Sequence, residues 1–337
     1  MRPCGRARRV CPSQCGGRRS AVEIGYALSS EEHQPDALVD NARRAEQLGF
    51  SFALISDHFH PWTNRQGNSS FVWTVLGAIA RQTDRLRVGT GVTCPTLRTH
   101  PAIIAHAAAT VAAMMPGRFF LGLGSGERLN EHVLGDPWPP SHVRQEMLAE
   151  AIIVIKTLWS GEQIDHDGAF YTVENARLYT LPPEPPHIYL AASGEKTAEL
   201  AGRLTDGFIG TSPKKETIEA FDQGGGKGKP RYGQLTVCWA PTEDEAVRTA
   251  HEWWPQTVLG GSLSVEIATP ADFEAACETV RPEDVAQAMP CGPDPEKYLA
   301  AIREYADAGY DHVYLHQVGP DQDGFFSFFE REISPKL

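Results

Sequence analysis

Short apolar runs and amphipathic stretches alternate along most of the chain. Phe52-Ala53-Leu54-Ile55 is an unbroken apolar run of strand length, while Pro35–Leu48 carries apolar residues at three-to-four spacing and predicts a helix. Extended to the whole chain, the pattern predicts strands at Val22–Leu28, Phe52–Ser56, Leu86–Val92, Arg118–Gly122, His187–Ala192, Gly207–Gly210, Gln234–Trp239 and His312–Val318. Helices are predicted between them at Phe71–Gln82, Pro101–Met114, His142–Trp159, Lys196–Leu204, Lys215–Asp222 and Pro295–Ala308, with a last one at Phe325–Ile333. Gly161–Leu181 reads as a hairpin turning at Asp167-Gly168, Gly224–Lys229 as a Gly/Lys-rich loop, and the stretch up to Met289 as further helices.

Strict strand–helix alternation implies a parallel sheet. Eight such units in 337 residues favour a closed (β/α)8 TIM barrel, α/β in class, with insertions after strands 4 and 7. An open dinucleotide-binding sheet would need a glycine fingerprint after the first strand, and Ser29-Ser30-Glu31 is not one.

Charge divides the chain. Residues 1–20 hold six arginines and no acid, which leaves 25 basic against 43 acidic residues, net −18, for the remainder. That excess argues against nucleic acid as a partner of the folded body. The expected organisation is a disordered or basic extension over 1–20 and a single barrel domain over 21–337. No apolar run is long enough to span a bilayer, so no membrane partner is expected. The seven cysteines are dispersed, three of them (Cys4, Cys11, Cys15) in the extension, which suits a reducing cytoplasm.

In a barrel, chemistry belongs to the loops after the strands. Strand two delivers Asp57-His58-Phe59-His60-Pro61-Trp62: an acid, a base and a flat apolar surface. Strand three ends in Gly89-Thr90-Gly91-Val92-Thr93-Cys94, where glycines permit close backbone approach to a ligand or serve only as a turn. Strand four ends in Gly122-Leu123-Gly124-Ser125-Gly126-Glu127, followed by Asn130. Ala191-Ala192-Ser193-Gly194 opens a helix whose free N–H groups suit a phosphate. Thr211-Ser212-Pro213-Lys214-Lys215 adds hydroxyls and cations. Ser29-Ser30-Glu31-Glu32 either caps the next helix or reaches the mouth. His58 and His60 form an H-x-H pair, but strand eight ends in Leu315-His316-Gln317-Val318 with no carboxylate there, so no metal is expected.

Together, Asp57–Trp62, the Phe120–Asn130 segment, Tyr189–Gly194 and Thr211–Lys214 resemble the luciferase-like flavin/deazaflavin barrel family. Within it the chain is most similar to the coenzyme F420-dependent glucose-6-phosphate dehydrogenases, from Val22 onward. The resemblance implies coenzyme F420 as cofactor, a small-molecule substrate and a homodimer. It implies hydride transfer between a substrate CH–OH or carbonyl carbon and C5 of the deazaflavin. His58 would be the base, Glu127 the group serving the cofactor ring nitrogen, and Trp62 a wall between ring and substrate. Asp57, Gly91, Val92, Cys94, Ser125, Gly126, Glu127, Asn130, Ala191, Ala192, Ser193 and Gly194 would hold the cofactor, with a cis peptide at Gly91–Val92. Glu31, Trp62, Thr211 and Lys214 would contact the substrate. Two further phosphate-holding cations of the family fall near Ser264 and Ala288, neither cationic; Lys215, Lys227, Lys229 or Arg231 would have to replace them. The alternatives are an FMN-dependent monooxygenase, a non-catalytic F420-binding barrel and a metal-dependent hydrolase.

Overall fold

A computed structural model describes residues 22–337; the basic extension, with Cys4, Cys11 and Cys15, lies outside the described residues. The strands are β1 (Glu23–Leu28), β2 (Phe52–Ile55), β3 (Arg87–Thr90), β4 (Phe119–Leu123), β5 (Ile164–Asp167), β6 (Thr172–Ala176), β7 (His187–Ala191), β8 (Gly207–Gly210), β9 (Arg231–Val237) and β10 (His312–Gln317). Eight of them close a parallel barrel in the order β1-β10-β9-β8-β7-β4-β3-β2, and β5 and β6 form a separate antiparallel hairpin. The eight expected strands are these eight, with ends differing by up to three residues.

Each barrel strand leads to helix: α1 (Pro35–Gln47), α2 (Val72–Gln82), α3 (Pro101–Met114), α4 (Arg128–Glu131) with α5 (Ser141–Leu158), α6 (Glu195–Leu204) and α7 (Lys215–Phe221). After β9 come α8 (Glu243–Trp253), α9 (Leu263–Glu266), α10 (Pro270–Cys277), α11 (Pro282–Ala288) and α12 (Pro295–Ala308), and α13 (Gln322–Phe328) follows β10. Among the described residues no helix is long and apolar enough to cross a membrane.

The strands are buried on both faces, as β2 and β4 show at every position, because helices cover the outside and side chains fill the inside. Inside, Phe52, Phe120, Tyr189, Tyr232 and Tyr314 form an aromatic plug, with Tyr189 stacked on Tyr232 at 4.9 Å. The plug needs glycine beside it. A Cβ on Gly25 would lie 2.3 Å from the Phe52 ring, and one on Gly89 2.0 Å from that of Phe120. Above the plug the barrel is open toward the strand C-termini.

Two insertions flank that opening. The hairpin after α5 is anchored where Tyr171 donates to the carbonyls of Pro95 (2.8 Å) and Thr96 (3.2 Å), behind the loop after β3. Its turn spans 168–171, one step beyond Asp167-Gly168, because Glu150 collects the N–H groups of Ala169, Phe170 and Tyr171 there. The helices after β9 have a small core of their own around Cys238, Ala246, Val285 and Met289. The Gly224–Lys229 segment is not all loop: helical turns continue from α7 to Gly226. They pack closely on α6, where a Cβ on Gly224 would meet the carbonyl oxygen of Glu199 at 2.2 Å. The last helix begins three residues before the expected Phe325, because Asp321 caps it by accepting from the Gly324 N–H at 2.8 Å.

Candidate active site

A cavity of about 250 Å³ sits on the aromatic plug, floored by Leu54 and Tyr314. Its walls are Glu31 after β1, His58 and Trp62 after β2, Gly91 and Val92 after β3, Glu127 after β4, His316 on β10 and Trp254 from the insertion after β9.

His58 lies between two carboxylates. Its Nδ1 is 2.9 Å from Glu31 Oε1, an ion-pair contact bent away from hydrogen-bond geometry, and its Nε2 is 3.6 Å from Glu127 Oε1. Burial opposes a charge on the imidazole, but the attraction of Glu31, then that of Glu127, outweigh it and raise its pKa to about 9. Burial likewise opposes the Glu31 carboxylate, yet His58 and the Ser56 hydroxyl, donating at 2.6 Å, lower its pKa to about 2. The pair is therefore imidazolium and carboxylate at neutral pH. Trp62 packs edge-on against His58 at 5.0 Å and against Phe273 at 5.3 Å.

The Ser29–Glu32 segment does not cap α1, which starts after Gln34 without a side-chain cap. Its two glutamates diverge instead. β1 lies between β2 and β10, so Glu31 reaches His58 on one side while Glu32 reaches the other. Glu32 Oε2 is 2.9 Å from His316 Nε2, and its Oε1 accepts from the Gly319 N–H at 2.8 Å. The carboxylate missing from strand eight is thus supplied by the neighbouring loop. Trp254 packs edge-on against His316 at 4.4 Å.

Several residues expected to touch the cofactor are engaged internally. Asp57 accepts from Thr93 Oγ1 at 2.8 Å and from Arg98 at 2.9 Å, and Arg98 also donates to the Asp57 carbonyl at 3.0 Å. Arg98 and its second acid, Glu131 at 3.5 Å, were not singled out in the sequence, for nothing in their local pattern marks them. Asn130 accepts from the N–H groups of Phe59 (2.7 Å) and His60 (2.9 Å) and donates to Glu127. Buried in that role, it positions Glu127 and the loop after β2. His60 turns away from His58 to the Leu129 carbonyl at 2.9 Å, so the H-x-H pair does not converge. Among the described residues no group of three or more His, Cys, Asp or Glu is arranged around a metal position. Cys94 is buried, 3.0 Å from Thr96 Oγ1, and packs under Gly126, whose φ of 75° suits glycine.

The remaining positions are small residues at the strand ends. The Gly91–Val92 peptide is cis, and both residues face the cavity. Ser125 and Gly126 are half-buried on one flank, Ala191 and Ala192 on another, and Ser193 and Gly194 are exposed at the start of α6. No side chain caps α6, so its first N–H groups are available to a phosphate. Thr211 lines the cavity, whereas Lys214 stands exposed at the start of α7 and lines no part of it.

The model of the luciferase-like monooxygenase family matches residues 19–312. An F420-dependent glucose-6-phosphate dehydrogenase from Microbacterium testaceum is 34% identical over 94% of this chain and 97% of its own length. One from Mycobacterium avium is 34% identical over 94% and 98%. An F420-dependent secondary alcohol dehydrogenase, solved in complex with an F420-acetone adduct, superposes with a TM-score of 0.87 at 29% identity, covering 93% of this chain and 98% of its own. The coenzyme F420-dependent tetrahydromethanopterin reductase from Methanopyrus kandleri, at 20% identity and a TM-score of 0.76 over 94% and 99%, shares the fold.

Proposed function

The chain belongs to the luciferase-like monooxygenase family, and from that premise we propose that it is an F420-dependent oxidoreductase interconverting an alcohol and a carbonyl compound. The observation that carries the reading is His58, flanked by Glu31 and Glu127 in a cavity lined by Gly91 and Val92. Bound F420 supplies hydride acceptance or donation at its deazaflavin carbon. Gly91, Val92, Ser125, Gly126, Ala191 and Ala192 would hold the ring and its chain, and the start of α6 the phosphate. The protein's own contribution is orientation and one proton. His58 takes the hydroxyl proton during oxidation and returns it to the carbonyl oxygen during reduction. Glu31 fixes the imidazole from Nδ1 and leaves Nε2 as the working nitrogen, on the side of Glu127. Trp62 and Trp254 shield the reacting carbon from water.

The pH dependence follows from the raised pKa of His58. Oxidation needs the neutral imidazole, so kcat/KM for an alcohol should rise with pH and level off above about 9. Reduction needs the imidazolium, so kcat/KM for a ketone should be flat at neutral pH and fall through the same value. Limbs near the ordinary histidine value would remove Glu31 and Glu127 from this role.

The cofactor is tested by titrating the purified protein with F420 and with FMN while following fluorescence. Preferential binding of F420 is expected. Preferential FMN binding with oxygen consumption would place the protein with the monooxygenases. Tight F420 binding with no hydride transfer across alcohols and ketones would make it a binding barrel.

A further inference from the structure

The cavity beside His58 has a neighbour. Thr211 and Gln234 line it and also line a second chamber of about 500 Å³ bounded by α11 and α12. The two cavities therefore adjoin at these residues. The chamber wall mixes apolar groups such as Ala288, Met289 and Ala301 with neutral polar ones. Thr211 Oγ1, Gln234 Nε2, Thr236 Oγ1 and Thr257 Oγ1 face it without a bonding partner among the described residues.

Its charges cancel. Lys297 and Glu304 are the charged residues on the wall among the described residues, and Lys297 already donates to Glu243 at 2.8 Å. The cations that the sequence offered are placed elsewhere. Lys214, Lys215 and Lys227 are exposed and line neither chamber. Lys229 is bonded to the carbonyls of Gly202 (2.6 Å) and Thr205 (2.8 Å), and Arg231 to Asp222 (2.6 Å). The inner cavity adds the carboxylates of Glu31 and Glu127. An anionic group entering here meets the acids of the inner cavity, and the wall cation Lys297 is already paired with Glu243.

We infer that the substrate is an uncharged alcohol or ketone, its reacting carbon beside His58 and its remaining chain held by neutral hydrogen bonds on the side of Thr211 and Gln234. This rests on the oxidoreductase reading above and narrows it. A phosphorylated sugar is disfavoured as substrate, whatever the chain's relatives act on.

The test uses the F420-loaded protein and matched compounds with and without a phosphate: glucose and glucose 6-phosphate, 1,2-propanediol and its 1-phosphate. Binding is followed by cofactor fluorescence, and turnover by cofactor absorbance. Each uncharged member should be favoured by about tenfold or more, the worth of one missing charge-assisted bond. Ala288 is exposed on the chamber wall, so Ala288→Arg places a cation there without disturbing the core. It should raise affinity for the phosphorylated members by about tenfold and leave the uncharged ones little changed. Preference for the phosphorylated members in the unaltered protein, equal affinity within each pair, or no binding of any of the four overturns the inference. Failure to retain F420 at all would instead overturn the reading beneath it.

Discussion

Replacing His58 by Asn should lower turnover by about two to four orders of magnitude, the usual worth of a positioned general acid–base group. F420 binding should persist, because His58 faces the cavity between Glu31 and Glu127 and bears no other contact to the expected cofactor surface. The amide of Asn can still donate toward Glu31, which also accepts from Ser56 (2.6 Å) and Ser29 (3.0 Å) and so does not lose all its partners. Folding should therefore survive. A structural role for His58 would lower activity without altering its pH dependence. The acid–base role requires that the limb near pH 9 disappear with the imidazole. Stability changes in the complementary sense. The raised pKa stabilises the fold fully below the ordinary histidine value, and that contribution is lost as pH rises through about 9. His58→Asn should flatten that part of the pH–stability curve. Turnover within tenfold of the unaltered enzyme, or a persistent limb at pH 9, would sink the assignment.

The barrel was legible because its strands are buried on both faces. Such strands appear as short, unbroken apolar runs such as Phe52–Ile55, bounded by polar residues. The start of the final helix was not legible, since Gln322 and Asp323 show no apolar period and only the cap at Asp321 marks it. In the site, the strand-end residues were legible one by one, but their partners were not. Glu32 and His316 are 284 positions apart and meet only because closure puts β10 beside β1. Asp57 and Asn130 stood out as polar residues at strand ends. The structure spends one on Thr93 and Arg98, and the other on the backbone of Phe59 and His60. Residue type announces that a polar group is needed near the site. It does not say whether that group faces the ligand or holds the one that does.

Arg98 shows how much stability such a supporting group can carry. Its side chain is 8% exposed, beside Asp57 at 4% and Glu131 at 1%. Burial opposes its charge, but Asp57 and then Glu131 overcome this and raise its pKa. Glu131 also accepts from the N–H groups of Leu97 (3.3 Å) and Arg98 (2.9 Å), which closes the turn between β3 and α3. Arg98→Met would leave two buried carboxylates without a cation. The expected cost is about 3–5 kcal/mol, because an acid stripped of its partner keeps its desolvation penalty. That is a large share of the roughly 5–15 kcal/mol that holds a typical protein folded, and urea unfolding followed by tryptophan fluorescence would register it. Arg98→Lys restores the charge but not the paired N–H groups that reach both the carbonyl and the carboxylate of Asp57. It should recover only part of the loss. A cost below about 1 kcal/mol for Arg98→Met would put the network in the class of exposed surface pairs. Asp57 would then have to be held in place by Thr93 alone.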